Sequence, residues 1–421
     1  MFLRRMISLL GVLLLGIGSA LPVAAEREVL TVWDWWGHAT PGHTAWYTWL
    51  ETEFEARYPD IDVEFHFHPW SGYLDKLVTG VAGGAGPDVA QVSVAWARDL
   101  YNQGILLELN DYVAASPSSA PDQFVPPTQV YNQLDGRIYG ITFVMDANAL
   151  LYNKDHFLES GLDDDPFALA TWDDFIRAAQ VLTRRDEDEI TRSGYAFFTS
   201  VGDFSAWLVT NGASLYNADF TGAGFNNRAG VEVIEFERDL LHRYDIFNEA
   251  LWYLPNGTTS MIFAGTWNAP EYLQANPSLN IGVTSFPQGP SGSGRGTITW
   301  GNMFSMFRGV KNPDAAWKFI EFVTSLDASI ALMQFMNRPT SPRLDFYQSP
   351  EWRAAVQEQP WMETLQHIAL VGGPLNFLRA SDVDSHLGPI LHRAIYVGDM
   401  SPEETVATAA QHMNRLLAEV R

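Results

Sequence analysis

Between Glu28 and Trp36 the chain reads EVLTVWDWW, an unbroken β-branched and aromatic stretch that stops at Gly37 and Pro41-Gly42. This is the pattern of a buried strand feeding a loop. The apolar period then becomes helical: Trp46, Leu50, Phe54 and Tyr58 predict an amphipathic helix, which Pro59-Asp60 ends. A second strand is expected from Ile61 to His68, making a right-handed β-α-β unit with parallel strands. Tyr73 to Ala82 predicts a short helix, Gly83 to Gly86 a tight loop and Asp88 to Val94 a third strand. In open parallel sheets, ligands gather beyond the C-terminal ends of the strands. That rule directs Trp35, Trp36, His38, Ser93 and Trp96 toward a common crevice.

Further along, Ser116 to Pro127 is rich in Pro and Ser and reads as a surface loop, and Leu134-Asp135-Gly136-Arg137 reads as a hairpin turn. Ile138 to Asn153 is mostly apolar and long enough to cross from one lobe to another. Helix starts are marked by Thr171-Trp172-Asp173-Asp174, by Asn312-Pro313-Asp314 and by Ser401-Pro402-Glu403-Glu404.

Composition narrows the class. The 421 residues are 47% hydrophobic and 18% charged, which argues for a globular chain and against disorder or a multi-span membrane protein. Residues 1–25 carry Arg4 and Arg5, an apolar stretch from Met6 to Ile17 and a small-residue exit Val23-Ala24-Ala25, the pattern of a cleavable signal peptide. The remainder is too long for one core. Asp and Glu number 50 against 26 Lys and Arg, a net charge of −24 that argues against nucleic-acid partners and anionic membrane surfaces. With no Cys there is neither a disulfide nor a cysteine to carry a lipid anchor. The expectation is a freely soluble periplasmic monomer with no membrane span after processing. Fifteen Trp residues, many beside turn signals, suggest an aromatic cleft.

The succession LTVWDWWG, FEARYPDIDVEF, YLDKLVTGVAGGAGPDV, ALLYNKDHF, TWDDF, FAGTWN and KNPDAAWKFIEFV resembles the extracellular solute-binding proteins of ABC importers, in particular the carbohydrate-binding group. The resemblance implies an α/β, two-lobe periplasmic binding protein fold of type II, each lobe a mostly parallel sheet flanked by helices and joined by crossing hinge strands. It divides the chain into residues 26–143 plus 305–340 and residues 148–300 plus 343–421. It further implies a non-catalytic receptor that takes a mono- or oligosaccharide in the interlobe cleft and passes it to the transmembrane subunits of an ABC permease, with no cofactor or metal.

Sugars present hydroxyls, which carboxylates and amides grip, and apolar C–H faces, on which aromatic planes stack. By resemblance, Asp146 is the leading polar candidate; a hinge carboxylate satisfied by backbone N–H groups is the other reading. Asp203 and Phe204 in GDFSAWL match a cleft segment, against the alternative that Asp203 caps a helix and Trp207 is core. Trp267 in AGTWN takes the stacking position. Trp300 and Asn302 sit at a crossing, Arg343 and Arg393 are candidate cationic donors or surface ion pairs, and Phe377 is a further aromatic.

Other signals read as structural. The glycines before Asp88 lack the GK[ST] ending of a phosphate cradle, and His66 and His68 share a strand face without further zinc ligands in view. Two rival functions remain: an exported glycoside hydrolase using Asp34, Asp146 or Asp203, and the same fold holding a glycerol phosphodiester or polyamine.

Overall fold

The computed structural model describes residues 27–374 and 380–419. Its central feature is one sheet built from β1 (Glu28–Asp34), β2 (Ile61–Phe67), β3 (Val89–Ser93), β4 (Ile141–Asn153), β5 (Glu189–Ala196), β6 (Thr259–Gly265), β7 (Ile281–Thr284) and β8 (Ile298–Met306). The order across it is β2-β1-β3-β8-β4-β6-β5, with β7 also on β4. The first three strands pair in parallel, as the β-α-β pattern predicts, and β5 pairs in parallel with β6. The two long strands β4 and β8 run antiparallel to each other, from Thr299 opposite Ala147 to Phe304 opposite Ile141. Past Ala147, β4 leaves β8 and pairs antiparallel with β6 and β7. The apolar stretch seen in the sequence is thus a single strand shared by both halves, and all of its residues are buried.

Two hydrophobic cores flank this sheet. One gathers Leu30, Val32 and Val63 against Trp46, Leu50 and Phe54 of helix Pro41–Arg57 and against Phe319, Ile320 and Leu332. These last come from helices Pro313–Val323 and Leu326–Met336, an apolar pair bent by 58°. Among the described residues no single helix is long and apolar enough to cross a membrane. The larger core centres on Trp207, fully buried in helix Val201–Thr210 with the rings of Phe236 at 4.7 Å, Phe286 at 5.0 Å and Phe175 at 5.4 Å.

The predicted boundaries have visible causes. Thr171 and Asp174 close a reciprocal capping box on helix Trp172–Leu182. Asn312 and Ser401 cap helices that begin with Pro313 and Pro402. Asp135 and Gly136 take φ of 53° and 78° in the turn that pairs Leu134 with Arg137, where two successive left-handed residues suit a tight hairpin. The Ser116 to Pro127 loop holds two short 3₁₀ turns. Asp88 accepts from the backbone N–H groups of Thr31 at 3.0 Å and Lys311 at 3.2 Å, stapling the first strand to a distant segment. His66 lies 3.6 Å from Glu64 and His68 is 2.9 Å from Lys76 Nζ. Among the described residues no group of three His, Cys, Asp or Glu could hold a metal.

Trp207→Ala removes a fully buried indole from the second core and leaves a cavity. It should cost about 3–5 kcal/mol of stability, read from urea unfolding, because such a site collapses only partly.

Candidate functional site

The three parallel strands end at one edge, and the residues just past them converge. Trp35 and Trp36 follow β1, Trp70 follows β2, and Ser93, Ala95 and Trp96 close β3. Opposite them stand Trp267, after β6, and Val201 and Gly202, at the start of helix Val201–Thr210. The floor is Asp146 from β4 with Trp300, Gly301 and Asn302 from β8. Arg338 and Asp384 complete a cavity of about 450 Å³. Six of its lining residues are tryptophans.

On one wall the rings hold one another. Trp70 and Trp96 stack at 4.5 Å, and Trp35 sets its edge against Trp70 at 5.1 Å, Tyr73 at 5.1 Å and Trp96 at 5.5 Å. Such offset and edge contacts orient aromatic faces more rigidly than burial alone. Trp70 remains 54% exposed, a large cost for an indole that only packs. On the facing wall Trp267 lies over Gly265: a Cβ there would come within 2.3 Å of three indole carbons, so this glycine is required by the ring. Trp300 is fixed by its Nε1, which donates to Asn148 Oδ1 at 3.0 Å.

Asp146 is the polar anchor of the floor. Its carboxylate accepts from Arg338 Nη1 at 2.8 Å, Thr340 Oγ1 at 3.0 Å and Thr266 Oγ1 at 3.2 Å. The donors are two hydroxyls and a guanidinium, not the backbone N–H groups of the alternative reading, and the carboxylate lines the cavity as well. Arg338 lies 5.3 Å over the Trp36 ring, so one guanidinium is shared by a carboxylate and an indole face.

Eight of the candidates, Trp35, Trp36, Ser93, Trp96, Asp146, Trp267, Trp300 and Asn302, line this cavity. Five do not. His38 packs between Phe67 at 4.8 Å and Tyr47 at 5.8 Å, because Gly37 at φ 56° turns the chain away from the crevice. Ser200, rather than Asp203, is the helix cap: its hydroxyl accepts from Asp203 N at 3.0 Å, which places Asp203 one turn in and facing the core. Phe204 packs edge-on to Phe225 at 5.3 Å in the same core. Arg343 forks onto Asp345 at 2.7 and 2.8 Å and donates to the carbonyls of Ser118 and Thr324, a structural brace. Arg393 pairs with Asp399 at 2.8 Å at the surface. Phe377 lies outside the described residues.

Trp70, Arg338 and Asp384 also line the cavity, beyond the residues that the sequence patterns point to. Trp70 follows a parallel strand just as Trp35 does, so the same strand-end rule would have found it. Arg338 and Asp384 carry no comparable local signal; Arg338 reaches Asp146 across 192 positions.

Architecture and site together define a class: two packed halves joined by crossing strands around an aromatic cavity, the fold of a type II periplasmic binding protein. The model of the bacterial extracellular solute-binding protein family matches residues 39–329, and the chain belongs to that family. A protein of Brucella abortus named as a binding protein is 26% identical over 292 residues, covering 66% of this chain and 68% of its own. The arabinooligosaccharide-binding protein of Bacillus subtilis is 21% identical over 318 residues, 71% of this chain and 69% of that one. Among solved structures, the cyclic α-maltosyl-1,6-maltose binding protein of Arthrobacter globiformis superposes with a TM-score of 0.80 at 20% identity, covering 93% of this chain and 100% of that one. The Listeria monocytogenes ABC substrate-binding protein in complex with cycloalternan gives 0.77 at 19%, with coverage of 93% and 100%.

Near the cavity but beneath its surface, Asp203 is 1% exposed and neither of its oxygens accepts a hydrogen bond of good geometry. Burial pushes its carboxyl well above the ordinary range, and burial together with Asp203 does the same to Glu237. The unfolded chain releases these protons first, so stability falls as pH rises above the ordinary carboxylate range. Asp203→Asn keeps a neutral group of the same shape. The variant should melt above the parent at about pH 8, with the gap closing toward about pH 4 as the parent's carboxyl protonates in both states.

Proposed function

We propose that this protein is the substrate-binding component of an ABC importer that captures a sugar or oligosaccharide between its lobes and delivers it to the membrane permease. The observation that carries this reading is the cavity lined by six tryptophans, with the guanidinium of Arg338 neutralised by Asp146. Flat indole faces match the C–H faces of sugar rings, and the floor amide and carboxylate match hydroxyls. A grip of several hydrogen bonds at about 1 kcal/mol net each, added to aromatic burial, corresponds to affinities around micromolar. The names of the arabinooligosaccharide-binding relative and of the cyclic maltosyl-maltose binding structure point to the same ligand class.

In this reading the lobes are residues 26–143 plus 305–340 and residues 148–300 plus 343–421. The hinges fall where β4 and β8 cross and at the segment that carries Arg338 and Thr340. Ligand stabilises the closed form by touching Trp35, Trp70 and Trp96 on one side and Trp267 on the other. The mature protein works in the periplasm after removal of the signal peptide, and it makes and breaks no bonds in its ligand.

The placement of the three carboxylates named for a hydrolase supports a receptor, and Asp384 is the further carboxylate lining the cavity among the described residues. Asp34 and Asp203 are each 1% exposed and do not line the cavity, while Asp146 is held by three partners. A phosphodiester would call for clustered arginines. Arg338 is the arginine lining the cavity among the described residues, and its charge is already paired.

A thermal-shift screen against mono- and oligosaccharides should raise the melting temperature with at least one of them and release no product; turnover of a labelled oligosaccharide would overturn the receptor reading. Trp267→Ala should weaken that ligand tenfold or more while the unliganded melting temperature stays close to the parent's. An unchanged dissociation constant would remove Trp267 from the site.

A further inference from the structure

Asn302 is the amide on the cavity floor, and a chain of buried polar groups runs away behind it. In the antiparallel β3/β8 ladder Asn302 stands opposite Ser93, and Gln91 is two residues further along β3 on the same face, diagonal to Asn302. Gln91 is fully buried, and behind it lies Asp34 at the end of β1, 1% exposed. The two ends of the Gln91 amide find partners together in one orientation. With its nitrogen toward Asp34, Nε2 donates to Oδ1 at 2.8 Å and to Oδ2 at 2.5 Å, while Oε1 accepts from Asn302 Nδ2 at 3.2 Å. Asn302 is then committed through its nitrogen, and its Oδ1 is the end left for the cavity.

We propose that Asp34, Gln91 and Asn302 form a relay that sets the hydrogen-bonding polarity of the cavity floor, offering an acceptor to the ligand when Asp34 is charged and a donor when it is neutral. The reversed state follows from the same atom positions. One proton from solvent adds to an Asp34 oxygen, and the new O–H donates to Gln91 Oε1 once that amide has turned over. Gln91 Nε2 then donates to Asn302 Oδ1, and Asn302 Nδ2 faces the cavity. The two ends of an amide are nearly the same size, so each turn leaves the packing as it was. Each charge state favours its own amide orientation, and each orientation favours its own charge state.

Both charge states are accessible. Burial pushes the Asp34 carboxyl up to about 7, with Tyr47 and the N–H groups of Trp36 and Trp35 opposing. Trp36 N donates to Asp34 Oδ1 at 2.6 Å. The titratable groups facing Asp34 are Tyr47 on helix Pro41–Arg57 and Tyr73 on helix Tyr73–Ala82, both phenols held neutral by burial; from β3 the facing group is Gln91 itself. His68 touches this residue through the main chain, its N–H donating to the Asp34 carbonyl at 2.9 Å. The consequence for affinity rests on the proposed binding of a polyhydroxylated solute; the relay itself does not.

The test begins without ligand. Side-chain amide resonances of Gln91 and Asn302, assigned by their loss in Gln91→Met and Asn302→Ala, should titrate in the full-length unliganded protein with one shared midpoint between about pH 5.5 and about pH 8.5. In Asp34→Asn both should be flat, and in Gln91→Met the Asn302 resonance should stop titrating. Flat resonances in the parent, or an Asn302 titration that survives Gln91→Met, would overturn the relay; the second comparison decides it even if Asp34→Asn does not fold. With an oligosaccharide that raises the melting temperature, the parent's dissociation constant should change about three- to tenfold across that pH range and the Gln91→Met constant should not. Titrating amides with a pH-independent parent affinity would overturn the coupling to ligand. Failure of every sugar to bind would count against the oligosaccharide reading, and the amide titration would still decide the relay.

Discussion

The antiparallel contact between β4 and β8 is the constraint on which the remaining architecture depends. These strands belong to both halves, so the halves share a floor instead of meeting through a surface interface. A strand buried on both faces has to be apolar nearly throughout, and β4 is, with Asp146 as its charged residue. That carboxylate is tolerable because three donors reach it from segments on both sides of the crossing. Asp146 thus ties the crossing together at the point where the cavity opens above it.

The walls follow from the floor. Parallel strands deliver their C-terminal ends to one edge, and this chain puts an indole at or just past the end of each: Trp35, Trp70 and Trp96. Exposed indoles would ordinarily collapse onto the nearest apolar surface. Here edge-to-face contacts with one another and with Tyr73 hold them in place, so their ordering entropy is spent during folding and not on ligand arrival. On the other wall the ring of Trp267 over Gly265 serves the same end by steric means.

Around this apolar apparatus a chain of net charge −24 buries several acids. They are treated differently. Asp146 keeps company with an arginine, Asp203 and Glu237 lie where burial favours the neutral acid, and Asp34 sits between a main-chain donor and an amide. The difference lies in how many donors each site supplies, since an unpaired buried carboxylate is costlier than a protonated one.

Much of this was legible in the chain by itself. Strands, caps, the hairpin at Asp135-Gly136 and the long apolar crossing are local patterns, because side-chain period, φ preference and capping act over a few residues. The strand-end rule brought Trp35, Trp36, Ser93 and Trp96 to the crevice for the same reason. Which way a side chain faces once its helix or loop is docked is a different kind of fact. Asp203 was turned into the core by a cap and His38 away from the crevice by a glycine, effects that depend on what packs around them, and Arg343 was drawn to the carbonyl of Ser118 across 225 positions. Arg338 reaches Asp146 across 192 positions. No local pattern encodes such a meeting: the sequence determined the elements and the direction of their ends, while tertiary packing decided which polar groups were left facing the cavity, because only there do distant donors compete for the same buried acceptor.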